Sequence, residues 1–243
     1  MTDRPMIFSA PMVRALLEGR KSQTRRLLKG GVPEAPGMGV HPSHVANRPA
    51  PYLDAYCSER KSVANPRGMS TLWCWWTRDD RMGRDFRVAY KPGDRLWVRE
   101  NCRAEELPEG QDGVRFRADD TFVNIAANRD AADAWLALFY YRGRGKAGIG
   151  NPVPSIHMPR WASRLTLLVT DVKVERLQDI SEADAQAEGA VGMPTWGSHR
   201  NGFNAIWLDI HGAESWNANP WIVGVSFEVV RANIDALPAA RAA

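Results

Sequence analysis

"SRLTLLVTDVKVERLQDISEADAQAEG" (residues 163–189) joins two kinds of local order within one stretch. Residues 163–177 mix Leu, Val and Thr with few breaks, which predicts a long strand. Ser181 and Asp184 then stand in capping-box-like spacing, and Gly189 supplies the stop of a short helix. Downstream, "NGFNAIWLDIH" (201–211) reads as a helix and "WIVGVSFEVV" (221–230) as a last strand. Upstream, Ser9 opens a helix over 9–18 that tolerates Pro11 in its first turn. It aligns Met12, Val13, Leu16 and Leu17 on one face and ends at Gly19. Residues 22–29 fit a strand, as do "STLWCWW" (70–76), 112–117 and "YKPGDRLWVRE" (90–100), the last entered through a turn at Pro92-Gly93-Asp94. A helix is expected over 130–141, ending in the glycine-rich "RGRGKAGIGNP".

This order predicts an α+β domain built on a small barrel or curved sheet. Helices do not alternate regularly with strands, which argues against a doubly wound sheet, and there is no internal repeat. A single domain over 1–235 is expected, with insertions at about 30–90 and 103–151 and a flexible tail at 236–243. The first insertion collects Gly and Pro with little periodicity and reads as a long loop.

The chain has 243 residues, 44% apolar and 25% charged, enough for one generous core or two small ones. The N-terminus has no leader-like apolar run, and nothing approaches the ~18 apolar residues of a membrane span. A cytoplasmic protein without membrane contact is expected. Cys57, Cys74 and Cys102 are odd in number and lack C-x-x-C pairing, so reduced thiols are expected rather than a disulfide framework or a thiolate metal site. Residues 1–100 carry 18 Lys and Arg against 10 Asp and Glu, and residues 101–243 carry 14 against 18. That polarity suits phosphates or nucleotide-like ligands near a basic cleft, and it also suits a simple solvated basic face.

Several signals lead nowhere. The glycine runs have neither phosphate-loop nor dinucleotide spacing, and there is no G-x-S-x-G elbow. Of the five histidines only His41 and His44 are close, without further ligands at workable spacing, so no metal is assigned. Ten tryptophans exceed ordinary use and belong mostly to cores. Trp97 and Trp161 are the candidates for stacking on a base.

Gly19-Arg20-Lys21-Ser22-Gln23-Thr24-Arg25-Arg26 resembles the G-x-K-x-x-E-x-R signature of ASCH domains, with Thr24 at the glutamate position. The resemblance implies a PUA-like small β-barrel with flanking helices. The small bacterial ASCH amidohydrolases that remove the acyl group of N(4)-acetylcytidine share this Lys and Thr spacing, with Arg two residues after the Thr. "YKPGDRLWVRE", "PSIHMPRWASRLTLLVTDVKVERLQDIS" and "WNANPWIVGVSFE" resemble longer ASCH proteins of phages and prophages. Together the likeness spans residues 5–29, 90–100 and about 152–231.

By this resemblance Lys21, Thr24 and Glu188 are the catalytic residues, with Glu182 and Asp184 competing for the carboxylate role. Arg26, Trp97, Glu100 and Trp161 are the candidate substrate-binding residues. The implied activity is metal-independent and without cofactor, acting on an acylated cytosine nucleoside or related nucleobase. A non-catalytic RNA-binding module and an RNA-cleaving ASCH protein are the alternatives.

An amide needs a nucleophile, proton transfer and oxyanion stabilisation. A lysine whose pKa is lowered by burial or by nearby arginines can take the threonine proton. Alternatively Glu188 activates water, with Lys21 on the oxyanion and Thr24 as a donor. Residues three apart on a regular strand face opposite ways, so Lys21 and Thr24 meet only across a turn or bulge after Gly19. The plainest reading leaves all three as exposed strand and helix-end residues.

Overall fold

The computed structural model describes residues 2–35, 51–76, 81–126, 129–143, 145–192 and 197–238. In chain order its elements are β1 (Asp3–Ile7), α1 (Ala10–Leu17), β2 (Gln23–Leu27), β3 (Tyr52–Ala55), β4 (Leu72–Trp76), β5 (Arg81–Arg87) and β6 (Arg95–Arg99). There follow β7 (Cys102–Glu106), β8 (Asp112–Phe116), β9 (Phe122–Asn124), α2 (Arg129–Phe139), β10 (Thr166–Arg176), α3 (Glu182–Ala187), α4 (His199–Asn217) and β11 (Trp221–Val230). The class is mixed α+β. Among the described residues no helix is long and apolar enough to cross a membrane.

β10, the long strand expected from residues 163–177, is the spine. It pairs antiparallel with β11 along nearly its whole length and with β6 at its start, in a five-stranded sheet of order β1-β6-β10-β11-β2. β1, which has no clear sequence signal, pairs parallel with β6. Among the described residues the sheet does not close into a barrel. Its two edges nevertheless approach, because Arg26 Nη2 on β2 donates to the Ile7 carbonyl at the end of β1 at 2.7 Å.

Alternate β10 and β11 residues, among them Leu167, Val169, Val172, Val223, Val225 and Phe227, form the principal core with Val13 and Leu16 of α1. The Gly/Pro-rich stretch, expected as a loop, contributes β3, which pairs with β4, and β4 in turn with β5. Ala55, Met69 and Trp73 reach the same principal core, so this sheet packs onto the central one. Residues 36–50, with His41 and His44, and 239–243 of the tail lie outside the described residues.

A second core gathers β7, β8 and α2 around Phe116, Trp135 and Met158. The glycine run after α2 packs backbone to backbone against β7. Gly150 N donates to Ala104 O at 2.9 Å, and a Cβ there would stand 3.1 Å from that oxygen. A third core joins α3 and α4 to the start of β11 through Leu177, Ile180, Ala185, Phe203, Trp207 and Ile222.

Candidate functional site

Two helices end in the same way and face each other. After α1, Gly19 takes φ 72 and its N–H donates to Leu16 O, while Arg20 N donates to Ala15 O at 2.9 Å. After α3, Gly189 takes φ 81 and donates to Gln186 O, while Ala190 N donates to Ala185 O at 3.2 Å. Both are Schellman endings, in which a left-handed residue turns the chain and satisfies carbonyls of the last turn. A Cβ on Gly189 would lie 3.1 Å from the Ala15 Cβ and 3.2 Å from the Lys21 Cβ, so the two caps are in contact.

That contact brings Lys21 and Glu188 together. Their backbones form an isolated antiparallel bridge, and Ser22 N donates to Ala187 O at 2.8 Å. Lys21 Nζ donates to Glu188 Oε2 at 2.6 Å and to the Glu188 carbonyl at 2.8 Å. The second bond places a cation on the C-terminal carbonyls of α3, where the helix dipole favours it. Both side chains are buried, 1% and 6% exposed. Burial lowers the Lys21 pKa; Glu188 pulls the other way, and Arg26 and Arg25 add to the lowering.

Arg25 completes the cluster. It reaches Glu188 Oε1 at 3.3 Å, Glu175 Oε1 at 2.7 Å and Asp184 Oδ2 at 3.4 Å, and donates to Gln23 Oε1 at 2.6 Å. Register explains the gathering. Arg25, Gly224 and Lys173 form one row across β2, β11 and β10, and Glu175 stands two residues on, on the same face. Gly224 has no side chain, so Lys173 lies across it toward Asp184 at 2.5 Å. The sequence marks Arg25 only as part of the positive surroundings of Lys21. The signals for this cluster were the i, i+2 pair Lys173 and Glu175 and the equivalent pair Gln23 and Arg25.

Thr24 is buried and pairs with Val225 on β11. Strand alternation sends it, with Arg26, to the face opposite Arg25. Lys21 precedes the β2 ladder, and its ammonium and the Arg26 guanidinium both lie over the Phe8 ring, at 5.8 and 5.3 Å from the centroid. The Lys21 side chain thus reaches round the sheet edge to the ring that Arg26 also covers. The plainest alternative, exposed strand and helix-end residues, does not hold, because Lys21, Thr24 and Glu188 are all buried.

Among the competing carboxylates, Glu182 accepts from Ser198 Oγ at 2.9 Å and from the first backbone N–H groups of α4, so it caps that helix. Asp184 accepts from Ser181 and Lys173 and forms an ion pair with Arg25. Glu188 alone of the three bonds Lys21.

The other expected binding residues stand apart; no hydrogen bond or ring contact joins them to Lys21, Thr24 or Glu188 among the described residues. Trp97 is buried in β6 beneath the Arg99 guanidinium, 5.0 Å from its ring. Glu100 is buried and accepts two bonds of 2.9 Å from Arg164, which also holds Asp119. Trp161 lines a separate cleft beside α2. Among the described residues no group of His, Cys, Asp and Glu is arranged to hold a metal ion.

No protein-family model, curated protein or solved structure matches this chain.

Proposed function

We propose that the chain is an amidohydrolase that removes the acyl group from N(4)-acylcytosine nucleosides such as N(4)-acetylcytidine, releasing cytidine and a carboxylate. The observation that carries this reading is the 2.6 Å contact between Lys21 and Glu188, 167 residues apart, beside the strand that bears Thr24. The likeness of residues 19–26 to the ASCH signature supplies the substrate class. We read the curled sheet, whose edges meet through Arg26 and Ile7, as an open form of the PUA-like barrel that likeness implies.

In this reading the short contact first carries a proton from the Lys21 ammonium to Glu188, and the neutral amine, favoured by burial, takes the Thr24 hydroxyl proton as Thr24 attacks the acyl carbon. Protonated Glu188 delivers its proton to the departing cytosine nitrogen. Glu188 then takes a proton from water, the hydroxide attacks the threonyl ester, and Lys21 returns its proton to Thr24 as the carboxylic acid leaves. The Lys21–Glu188 pair ends with the protons it began with. The ammonium formed as Thr24 is deprotonated has three donors and spends two on Glu188, which leaves the third for the oxyanion.

The test follows loss of acylcytosine absorbance with N(4)-acetylcytidine for the wild type and for Thr24→Ala, Thr24→Ser, Lys21→Ala and Glu188→Ala, with thermal unfolding of each. Turnover by the wild type, restored in part by Ser and abolished by Ala at position 24, is expected. No wild-type turnover overturns the substrate assignment, and activity intact in Thr24→Ala overturns the nucleophile. RNA affinity that falls with added salt, without turnover, would favour the binding-module reading instead.

A further inference from the structure

A cleft of about 750 Å³ opens between the β8–β9 edge, α2 and the segment running into β10, on residues that the proposed hydrolase reaction does not use. Its walls are largely apolar: Phe116, Val123, Ile125, Ala134, Trp161 and Leu165. Clefts of this size between packed units commonly hold small molecules. Most of its polar groups are already engaged. Arg164 gives its donors to Glu100 and Asp119, and Thr121 Oγ1 donates to Asp119. Asn233 Nδ2 serves the carbonyls of Arg160, Trp161 and Ser163. Asp130 sits in the first turn of α2, where the helix dipole favours a negative charge.

Arg231 differs. It is exposed, lines the cleft, and donates one bond to the Leu17 carbonyl at the end of α1. Among the described residues it has no carboxylate partner, and a guanidinium has five donors. An uncompensated cation beside an apolar cleft selects a ligand with an anionic head and an apolar body.

We infer that this cleft is a second binding site, for a small amphiphilic monoanion: a carboxylate or sulfonate head on Arg231 and an apolar body between Trp161 and the β9 and α2 walls. The site is independent of Lys21, Thr24 and Glu188, so either reading can fail without the other.

The test uses the full chain and the fluorescent aromatic sulfonate 1-anilinonaphthalene-8-sulfonate. Saturable binding at one site is expected, about tenfold weaker in Arg231→Gln, which keeps a donor for Leu17 but loses the charge. Arg231→Lys restores most of the affinity, and Thr24→Ala leaves it unchanged. Ala134→Trp, or Val123→Trp on the more exposed wall should the first not fold, removes binding by filling the cleft. Displacement by 1-naphthoate but not decanoate marks an aromatic acid as the ligand class, and the reverse marks an acyl chain. Unsaturable binding, or binding indifferent to both filling variants, overturns the site. Decan-1-ol displacing the probe as well as decanoate does, or Arg231→Gln binding like wild type, overturns the head-group assignment.

Discussion

Lys21 and Glu188 meet twice, once through their backbones in an antiparallel bridge and once through an ammonium that grips both the carboxylate and the carbonyl of Glu188. The same bonds hold α3 on the edge of the central sheet. The pair therefore has a structural role that exists whether or not it performs chemistry.

Removing one partner strands a buried charge. Glu188→Gln leaves the Lys21 ammonium without its carboxylate and is expected to cost about 3–5 kcal/mol in denaturant unfolding. The double variant Lys21→Met/Glu188→Gln should lose less than the sum of the two single changes, because no unmatched Lys21 charge remains. Additive losses would show that the contact contributes little.

The two cap glycines separate conformation from contact. Both need positive φ, but a Cβ at Gly19 meets nothing within 4 Å, whereas one at Gly189 presses on Ala15 and Lys21. Gly19→Ala should cost about 1 kcal/mol from backbone strain alone. Gly189→Ala should cost more, and should lower turnover beyond its effect on stability because it displaces Lys21. Equal losses in chemical denaturation would contradict the packing of the two caps.

Acid should weaken the fold within a defined window. Burial works against the Asp184 and Asp119 carboxylates, but hydrogen bonds from Lys173 and Ser181, and from Arg164 and Thr121, bring them from 3.8 to about 2. A carboxyl held low in the folded state stabilises above its unfolded pKa, and that stabilisation is lost as pH falls toward the folded value. Stability measured by thermal unfolding should therefore decline between pH 4 and 2. Asp119→Asn and Asp184→Asn should each flatten that decline; an unchanged slope in both would contradict these pairings.

Thiol reactivity should sort by burial. Cys57 is exposed, Cys74 and Cys102 are buried, and burial, with Glu100 nearby, pushes the Cys102 thiol up to about 12. Under native conditions a maleimide should modify Cys57 alone, and all three thiols in denaturant. Rapid native labelling of Cys102 would refute its packing in the second core.

Much of the secondary structure was legible locally. β11 (Trp221–Val230) falls on the strand expected at 221–230, α1 on the helix expected at 9–18, and Ser181 Oγ accepts the Asp184 N–H as its spacing implies. β1 and β3 were not legible: β1 is held by β6, some 90 residues on, and β3 is a four-residue strand inside a stretch rich in Gly and Pro. Trp97 and Glu100 follow the same logic: the residue types suited a binding site, but their partners, Arg99 and Arg164, decide what they do.

The sequence by itself determined the helix stops at Gly19 and Gly189 and the long strand leading to α3, which are local properties of backbone freedom, side-chain branching and spacing. Lys21, Thr24 and Glu188 became a candidate set through the resemblance of residues 19–26 to a signature, not through those properties. Only the tertiary structure decided that the two caps abut, that Glu188 rather than Glu182 or Asp184 bonds Lys21, that Arg25 joins them, and that Trp161 belongs to another cleft. Such contacts depend on strand register and on which charges burial forces to pair, and both are set by residues far apart in the chain.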